Sequence, residues 1–424
     1  MDIIIVGAGI GGLSAALSLA LAGHKVRILE SASALAEIGA GVQLTPTSTR
    51  HFWKWGLGPD ILEHSVLPES FNVRRGDNGE LLGSVPFEGF EERYGAPYIV
   101  IHRADIHRIL HKHAVNAKVQ IILNSRVTKY DFEAGSLQLA NGEELSADLI
   151  VAADGINSFA RKSFLSETDD GTEKTGWAAY RTTALVADIK ANPDTAQLVA
   201  KQTCNCWVGD KSSVMTYLIK NSQVLNIVLS HPDNVDTFEW TPKQFKDELQ
   251  RLFGHWDPSI RALLSMTSEV QNWPVYQVKT LPKWASDSGK FVLMGDAAHA
   301  MAFYLSMGVS MAVEDAEVLT ECISLHRKSE KTLGQAMKVF ETVRKERAEI
   351  VRDASLNAGN ILHLPQGAAQ EQRDRALKDD GVSAGTCVSD SDYVVRTSYG
   401  IGDQQTRDWC YGYDVLAKVH AEWK

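Results

Sequence analysis

The chain has 424 residues, of which 44% are hydrophobic and 23% charged, and its formal net charge is −10. This composition is typical of a globular protein with ample length for a large core. An acidic chain lacks the basic surface that nucleic-acid-binding proteins usually carry, so no nucleic-acid partner is expected.

Cysteine and histidine usage predicts neither a disulfide framework nor a metal site. Of five cysteines only Cys204 and Cys206 are close in sequence, and no histidine pair is accompanied by a third ligand at metal-binding spacing. The thiols are therefore expected to be reduced and the protein cytoplasmic. The longest apolar runs fall short of the roughly 18 residues of a membrane span, so no span is predicted.

The N-terminal residues predict a βαβ unit that binds a dinucleotide. Residues 2–6 form an apolar run, the pattern Gly7-x-Gly9-x-x-Gly12 follows, and a helix leads to a second strand that ends at Glu30. The first glycine permits a tight turn, the second lets the backbone approach a pyrophosphate, and the third lets helix and strand pack closely. The acid at the end of the second strand can bind ribose hydroxyls. The fingerprint alone does not distinguish FAD from NAD.

The hydrophobic pattern in the middle of the chain differs from that of the N-terminal part. Short alternating runs such as "GWAAYRTTALVADI" and "QVLNIVLS" predict a mostly antiparallel sheet inserted between two parts of an α/β domain. We therefore predict a Rossmann-like α/β fold in four segments: 1–174 as the first part of the cofactor domain, 175–283 as the inserted substrate-binding sheet, 284–365 as the second part with a long helix, and 366–424 as an irregular tail.

Two later segments place an aspartate directly after a predicted strand. Asp154 lies in "AADGINSFAR", and Asp296 lies in "GDAAHA" just before a helix. Together with the N-terminal fingerprint, they give three strand-end sites spread over the whole chain. Such a distribution suits a long, extended cofactor and favours FAD, although Asp296 as a plain helix cap is the alternative.

These three motifs, in this order, resemble those of the group A flavoprotein monooxygenases, in particular the salicylate-hydroxylase-like branch common in fungal natural-product pathways. The resemblance covers nearly the whole chain, including "EIGAGVQLTP" and "GAPYIVIHRADIHRIL". It implies that FAD is bound non-covalently, with Asp296 on the ribityl chain and Arg103 in contact with the cofactor. The helix that begins near Gly308 would point its N-terminus at the flavin N1–C2=O edge, where it stabilises the negative charge of the reduced ring. Gly41, Asp154 and Val309 complete the implied cofactor contacts.

The resemblance also implies a reaction. Members of this family reduce FAD with NADH or NADPH and transfer one oxygen atom from O2 to an electron-rich substrate through a flavin C4a-hydroperoxide. We therefore expect a monooxygenase that hydroxylates or epoxidises an aromatic, polyene or indolic natural product, working as a monomer or homodimer on a small apolar or aromatic molecule. No second nicotinamide fingerprint is present, so the choice of reductant stays open.

Two residues of the inserted sheet match positions that fungal relatives use to orient and activate the substrate: Arg181 and Tyr217. A cation or a hydroxyl near a phenol ring stabilises the phenolate and raises the nucleophilicity of the ring. The alternatives are a surface salt bridge for Arg181 and a half-buried sheet position for Tyr217. His299, although it lies in the flavin loop, is expected to be structural.

The loop after His299 departs from the family pattern. Phe303 stands where relatives usually have proline, Met307 where they have glutamine, and Val309 where they have a small alanine. Proline restricts the loop, whereas Phe303 is larger and its backbone is freer, so it either narrows the space over the flavin or lines an apolar substrate pocket with Met307. These departures leave two alternatives: an FAD enzyme with altered chemistry (oxidase, dehydrogenase or cyclase), and a non-catalytic flavin-stabilised binding protein.

Overall fold

The computed structural model describes residues 1–35, 39–165, 171–267, 269–379 and 403–424. The strands, in chain order, are β1 (Asp2–Val6), β2 (Lys25–Leu29), β3 (Gly41–Leu44), β4 (Ser65–Val66), β5 (Ser70–Arg75), β6 (Leu81–Pro86), β7 (Ile99–His102), β8 (Gln120–Ile122), β9 (Val127–Asp131), β10 (Ser136–Leu139), β11 (Glu144–Ser146), β12 (Leu149–Ala152), β13 (Thr172–Leu185), β14 (Thr203–Gly209), β15 (Ser212–Ile219), β16 (Val224–Pro232), β17 (Gln271–Val278) and β18 (Phe291–Leu293). The α-helices are α1 (Ile10–Leu21), α2 (Pro46–Lys54), α3 (Gly58–His64), α4 (Phe90–Tyr94), α5 (Arg103–Asn116), α6 (Phe159–Leu165), α7 (Val186–Ala191), α8 (Pro242–Phe253), α9 (Pro258–Ser265), α10 (Asp296–His299), α11 (Gly308–His326), α12 (Leu333–Leu362), α13 (Ala368–Asp379), α14 (Gln404–Tyr411) and α15 (Val415–Glu422).

A five-stranded parallel sheet in the order β18-β12-β1-β2-β8 forms the first layer. Its central strand is buried on both faces, as a parallel sheet covered by helices requires, and Ile3, Ile4 and Ile5 are fully inaccessible. Because all strands run in one direction, the carboxyl ends of β1, β12 and β18 lie at one edge. The three sequence motifs, each of which follows one of these strands, therefore converge there.

A seven-stranded sheet in the order β17-β13-β16-β15-β14-β5-β6 forms the second layer. β14 pairs with β5 in parallel, while the other neighbours are antiparallel. The expected antiparallel sheet is thus present. However, β5 and β6 come from residues 70–86, outside the predicted insertion, so the sheet is assembled from two parts of the chain.

The two residues predicted to activate the substrate, Arg181 and Tyr217, lie on one face of this sheet. Arg181 of β13 is paired with Val228 of β16, and Tyr217 of β15 is paired with Asn226 of the same strand. Side chains directly opposite each other, and those two residues apart, point to the same side of a sheet. Arg181, Met215, Tyr217 and Asn226 therefore share one face, which we call the sheet face.

The C-terminal segment corrects the prediction of an irregular tail. Within 366–424 the described residues form α13, α14 and α15, while residues 380–402 lie outside the described residues. Asp403 caps α14 by accepting from the Thr406 amide, and Asp414 caps α15 in the same way. Few but large apolar side chains, such as the buried Tyr411, hold the segment against the body. Because apolar residues are sparse in this segment, its sequence pattern predicted an irregular tail where the structure has short, capped helices.

The segment "EIGAGVQLTP" begins at residue 37, and its first two residues lie outside the described residues. Within the described part of the chain, no helix combines the length and apolar character needed to cross a bilayer.

Candidate flavin and substrate site

Two cavities that share lining residues form a groove at the carboxyl edge of the parallel sheet. Its larger part is a cavity of about 420 Å³ lined by residues that include Gly7, Gly9, Glu30 and Asp154. Its smaller part, of about 130 Å³, is lined by residues that include Gly9, Arg103, Asp296, Gly308 and Val309. The two parts share Gly9, Ala153 and Gly155. The groove therefore suits one extended ligand that passes over Gly9.

The three fingerprint glycines differ in what a side chain would meet. A Cβ on Gly7 would lie 2.4 Å from the Ala153 carbonyl oxygen, and one on Gly12 would lie 2.0 Å from the Gly7 carbonyl oxygen, so both are required by packing. A Cβ on Gly9 would meet no protein atom within 4 Å. Gly9 is open to the groove, where a side chain would enter the space of the ligand. This cradle fits a cofactor whose pyrophosphate approaches the backbone.

Asp296 is positioned for a ligand and not as a helix cap. It follows β18 and is exposed along the smaller cavity. Asp296 is the first residue of α10, and the N-cap position is occupied by Gly295. The carboxylate therefore faces the groove, as expected for a residue that binds cofactor hydroxyls.

Glu30 and Asp154 also line the groove, but both carboxylates support local backbone. Glu30 accepts hydrogen bonds from the Ala8 amide at 2.8 Å and the Ala32 amide at 2.8 Å. Asp154 accepts from the Ser158 hydroxyl at 2.5 Å and from the Ala160 amide at 3.0 Å. A carboxylate has about four lone-pair positions, so these contacts orient the groups without exhausting them.

Asp315, which the sequence analysis did not select, fixes the loop that carries Asp296. Its Oδ2 accepts from the Gly295 amide at 2.8 Å and lies 2.6 Å from His299 Nε2, while Arg344 Nε donates to its Oδ1 at 2.7 Å. Burial alone would raise the pKa of Asp315, but His299 and Arg344 lower it to about 2. His299 is thus engaged in a buried structural contact. The sequence signal for Asp315 is "EDA" (residues 314–316), a pair of adjacent acids after the loop.

The same ion-pair system continues to the C-terminal segment. Arg344 also contacts Glu314, and Arg347 binds Glu314 through Nε at 2.8 Å and Nη2 at 2.7 Å. Arg347 then donates to the Cys410 carbonyl at 3.0 Å, and its guanidinium lies 3.8 Å from the Tyr413 ring centroid. A row of buried charges therefore links the flavin loop to residues 403–424.

Arg181 lies on the sheet face beside Phe303. Its guanidinium carbon is 5.6 Å from the Phe303 ring centroid. Its Nε is buried and has no hydrogen-bond partner among the described residues. Burial lowers the pKa of Arg181, Tyr217 raises it and Arg103 lowers it. This half-buried cation is not the surface residue that a simple salt bridge would require.

Tyr217 is 3% exposed and packs against Gly41. A Cβ on Gly41 would lie 2.3 Å from the Tyr217 ring, and the Gly41 amide donates to Asn226 Oδ1 at 2.9 Å. Burial raises the pKa of Tyr217, while Arg181 and a hydrogen bond with Gln43 lower it. Gly41, predicted as a cofactor contact, is thus held by the sheet face. Its role toward the cofactor stays a prediction.

The two residues predicted to line a substrate pocket lie in different surroundings. Phe303 is half-buried, with its ring 4.6 Å from that of Tyr304. Met307 is fully buried, and its sulfur lies 3.6 Å from the Thr45 hydroxyl. The structure brings Phe303 to Arg181 but places Met307 in the interior, so a pocket role for Met307 stays a prediction.

Comparisons with known proteins identify the family of the chain. A family model described as an FAD binding domain matches residues 1–355. The chain is 31% identical over 423 residues to the FAD-dependent monooxygenase OpS4 of Beauveria bassiana (strain ARSEF 2860), covering 98% of this chain and 96% of that protein. It is 30% identical over 399 residues to hispidin-3-hydroxylase of Neonothopanus nambi, covering 89% and 92%.

The fold comparison points the same way. The structure of a salicylate hydroxylase substrate complex superposes with a TM-score of 0.76 at 22% identity, covering 100% of this chain and 98% of that one. At this identity the likeness concerns the fold, and it confirms the predicted Rossmann-like architecture with its second sheet. Since the family model spans most of the chain and the relatives align over almost all of it, the chain belongs to the FAD binding domain family and is an FAD-dependent monooxygenase.

Proposed function

We propose that this monooxygenase hydroxylates a phenolic aromatic molecule that binds as its phenolate against the sheet face. The observation that carries the proposal is Arg181, a half-buried cation whose buried Nε lacks a partner among the described residues. An unsatisfied buried donor is costly unless a ligand or water completes it. A phenolate oxygen supplies both the acceptor and the opposite charge.

Gly9, Asp296 and the N-terminus of α11 would hold FAD, which would supply the oxygen chemistry: with NAD(P)H and O2, one oxygen atom would enter the substrate and the other would leave as water. The chain's own contribution is electrostatic. Arg181 stabilises the phenolate, which enriches the carbon atoms of the ring in electrons. Tyr217 shares a proton with the same oxygen and so fixes the ring in place.

Phe303 supports an aromatic substrate through packing. The Arg181 guanidinium lies over the Phe303 ring, and the Tyr304 ring lies beside it. The two aromatic rings form an apolar surface next to the cation. A planar ligand in contact with this surface would exclude water from the Arg181 guanidinium and strengthen its attraction for an anionic oxygen. This placement supports a pocket-lining role for Phe303.

The protein is further expected in the cytoplasm, as a monomer or homodimer.

The test is a panel of phenols paired with their methyl ethers. Hispidin, salicylate and 4-hydroxybenzoate are each compared with the corresponding O-methyl compound in assays with NADH and with NADPH. We expect at least one phenol to increase NAD(P)H consumption and yield a product heavier by one oxygen atom in mass spectrometry, while its ether does neither. Equal responses to phenol and ether would contradict phenolate binding, and NAD(P)H consumption that yields only hydrogen peroxide with every phenol would contradict hydroxylation of this class.

A further inference from the structure

The Tyr304 side chain joins the flavin loop to the sheet face. Its hydroxyl is hydrogen-bonded to the Ser230 hydroxyl at 2.9 Å, and its ring lies 5.3 Å from the ring of His363. His363 Nε2 is in turn 2.8 Å from Ser213 Oγ. Ser213 and Ser230 are directly paired across β15 and β16, so two neighbouring strands are each bonded to a side chain from outside the sheet. We call Tyr304 and His363, with their contacts to these serines, the end wall.

The end wall bounds one side of the space in front of Arg181. On β16, Val228 pairs with Arg181, while Ser230 follows two residues later and Asn226 precedes by two residues. Alternate residues of a strand point to the same side, so these three residues of β16 belong to the sheet face. At the Asn226 end, β3 lies against the sheet, because the Gly41 amide donates to Asn226 Oδ1 at 2.9 Å. The space in front of Arg181 therefore lies between the end wall and β3.

Burial shows that the sheet face is covered at both ends and more open between them. Ser230 is 2% exposed, Ser213 4% and Asn226 0%, whereas Arg181 and Met215, which lie between, are half-buried. Ser230 and Asn226 are four residues apart, which is about 13 Å along an extended strand. The side chains that cover the two ends occupy part of that length. The space that remains suits one aromatic ring along the strand direction.

Helix α12 holds Tyr304 in this position. Gly359 lies inside α12, and a Cβ at this residue would lie 2.4 Å from the Tyr304 ring. Glycine is less favourable than alanine in the interior of a helix, so the close approach of the ring accounts for it. One turn earlier, the Ser355 hydroxyl donates to the Ala302 carbonyl at 2.6 Å and accepts from the Leu305 amide at 3.2 Å. The helix therefore fixes both the ring and the backbone on either side of it.

We propose that Tyr304 is a specificity-determining residue that limits the substrate to a single aromatic ring along the strands, and that Ser230 is its positioning residue. This inference rests on the proposed function, because it takes the substrate to lie in front of Arg181, and it adds a limit on size. Shortening Tyr304 would leave an apolar cavity at the end wall. A second aromatic ring of a larger phenol would fill that cavity and bury its apolar area there.

The test uses the FAD-loaded protein and measures the dissociation constants of phenol, 3-phenylphenol and 4-phenylphenol by titration of flavin fluorescence. The two phenylphenols place a second ring in two directions from the same hydroxyl. In the wild type the second ring should add little affinity, because the end wall excludes it. Tyr304→Ala should strengthen binding of at least one phenylphenol relative to phenol by about tenfold or more, through burial of the second ring. An unchanged affinity ratio in flavin-loaded Tyr304→Ala would overturn the size limit.

Ser230→Ala tests the end wall without creating a large cavity, because it keeps the Tyr304 ring and removes only its hydrogen-bond partner. We expect the affinity ratio to change in the same direction by about threefold or more, the scale of one hydrogen bond. Ser212→Ala is the matched control, since Ser212 is buried on β15 next to Ser213 but points to the other face of the sheet. It should keep the wild-type ratio. Equal ratios in the two serine variants would overturn the positioning role of Ser230.

The methyl ethers of the three phenols separate this inference from the proposed function. Ethers that bind as tightly as their phenols would contradict phenolate binding at Arg181. The size limit is instead judged by the ratio between two-ring and one-ring compounds. A preference for phenols over ethers, together with a ratio that Tyr304→Ala leaves unchanged, would overturn the size limit and leave phenolate binding in place.

Discussion

The two walls of the site are built by opposite means. The flavin loop is fixed by buried ion pairs, with Asp315 holding the Gly295 amide, His299 and Arg344. The sheet face is held by neutral groups, and its one cation, Arg181, has a buried Nε without a partner among the described residues. Paired buried charges hold each other in a defined geometry, whereas a buried donor without a partner marks a position where a ligand can complete the structure.

The same contrast separates the acidic residues of the groove. Glu30 and Asp154 are engaged by backbone and hydroxyl donors, while Asp296 is exposed to the groove and does not cap its helix. Engaged carboxylates shape the walls. The uncommitted groups, Asp296 on the flavin side and Arg181 on the sheet face, are the positions where we expect ligand contacts to have the largest effect on binding.

The largest effect is expected from Gly9→Val, which attacks the groove without touching either wall. A valine side chain would enter open space over which the cofactor must pass, so stoichiometric flavin binding should be abolished in a folded protein. Flavin absorbance per protein, with circular dichroism for the fold, measures this. Gly9→Ala is the graded control and should lose less. Full flavin occupancy in Gly9→Val would disprove the groove assignment.

Asp315→Asn should break the charged wall. It leaves Arg344 with an incomplete set of partners, and removing one member of a buried ion pair costs about 3–5 kcal/mol of unfolding free energy. Urea unfolding measures the loss, and Asp2→Asn, which affects the surface pairs with Lys25 and Arg27, should cost at most about 1 kcal/mol. Equal effects of the two variants would contradict the importance of burial.

The contribution of Asp315 to the free energy of unfolding should also depend on pH. The folded-state pKa of Asp315 is about 2, below its ordinary value of 3.8, so its stabilising contribution is present above pH 3.8 and is lost as pH falls toward 2. The stability difference between wild type and Asp315→Asn should therefore be constant near neutral pH and shrink in that acidic window. A difference that already shrinks near neutral pH would contradict the assignment of this contribution to Asp315.

The substitutions Arg181→Ala and Tyr217→Phe test the role of the sheet face in activating the substrate. Both variants should keep normal flavin spectra and stability, yet lose phenol-dependent product formation by about 10²-fold, the scale of electrostatic and acid–base groups. Arg181→Lys retains charge without the guanidinium fork and should fall between wild type and Arg181→Ala. Unchanged turnover in both Arg181→Ala and Tyr217→Phe would return these residues to a purely structural role.

Phe303→Pro should have the smallest effect. If Phe303 lines the pocket, its loss should weaken binding of an aromatic substrate by about 1–3 kcal/mol through lost apolar contact, with flavin occupancy unchanged. Substrate titrations of flavin fluorescence measure this. If Phe303 instead narrows the space used by oxygen, the variant should raise the fraction of NAD(P)H consumption that yields product while substrate affinity stays constant.

Sequence reasoning located the groove because its signal is local. Gly9 and Asp296 each follow a strand, and parallel strands bring such positions to one edge. The contacts of Asp315 with Gly295 and Arg344 were not foreseen, since they join distant segments that no periodicity records. The helices of the C-terminal segment were missed for a related reason: α14 and α15 are short, and caps such as Asp403 resemble loop residues until the helix is seen.

The contrast between the walls is tested most directly by a crystal structure of the FAD-loaded protein with bound 4-nitrophenol. We expect the phenolate oxygen within hydrogen-bond distance of both Arg181 and the Tyr217 hydroxyl, with its ring against Phe303, while Asp315 keeps its contacts to Gly295 and Arg344. A structure in which Arg181 pairs with a protein carboxylate, or in which the probe oxygen contacts neither residue, would contradict the assignment of the sheet face as the substrate-activating wall.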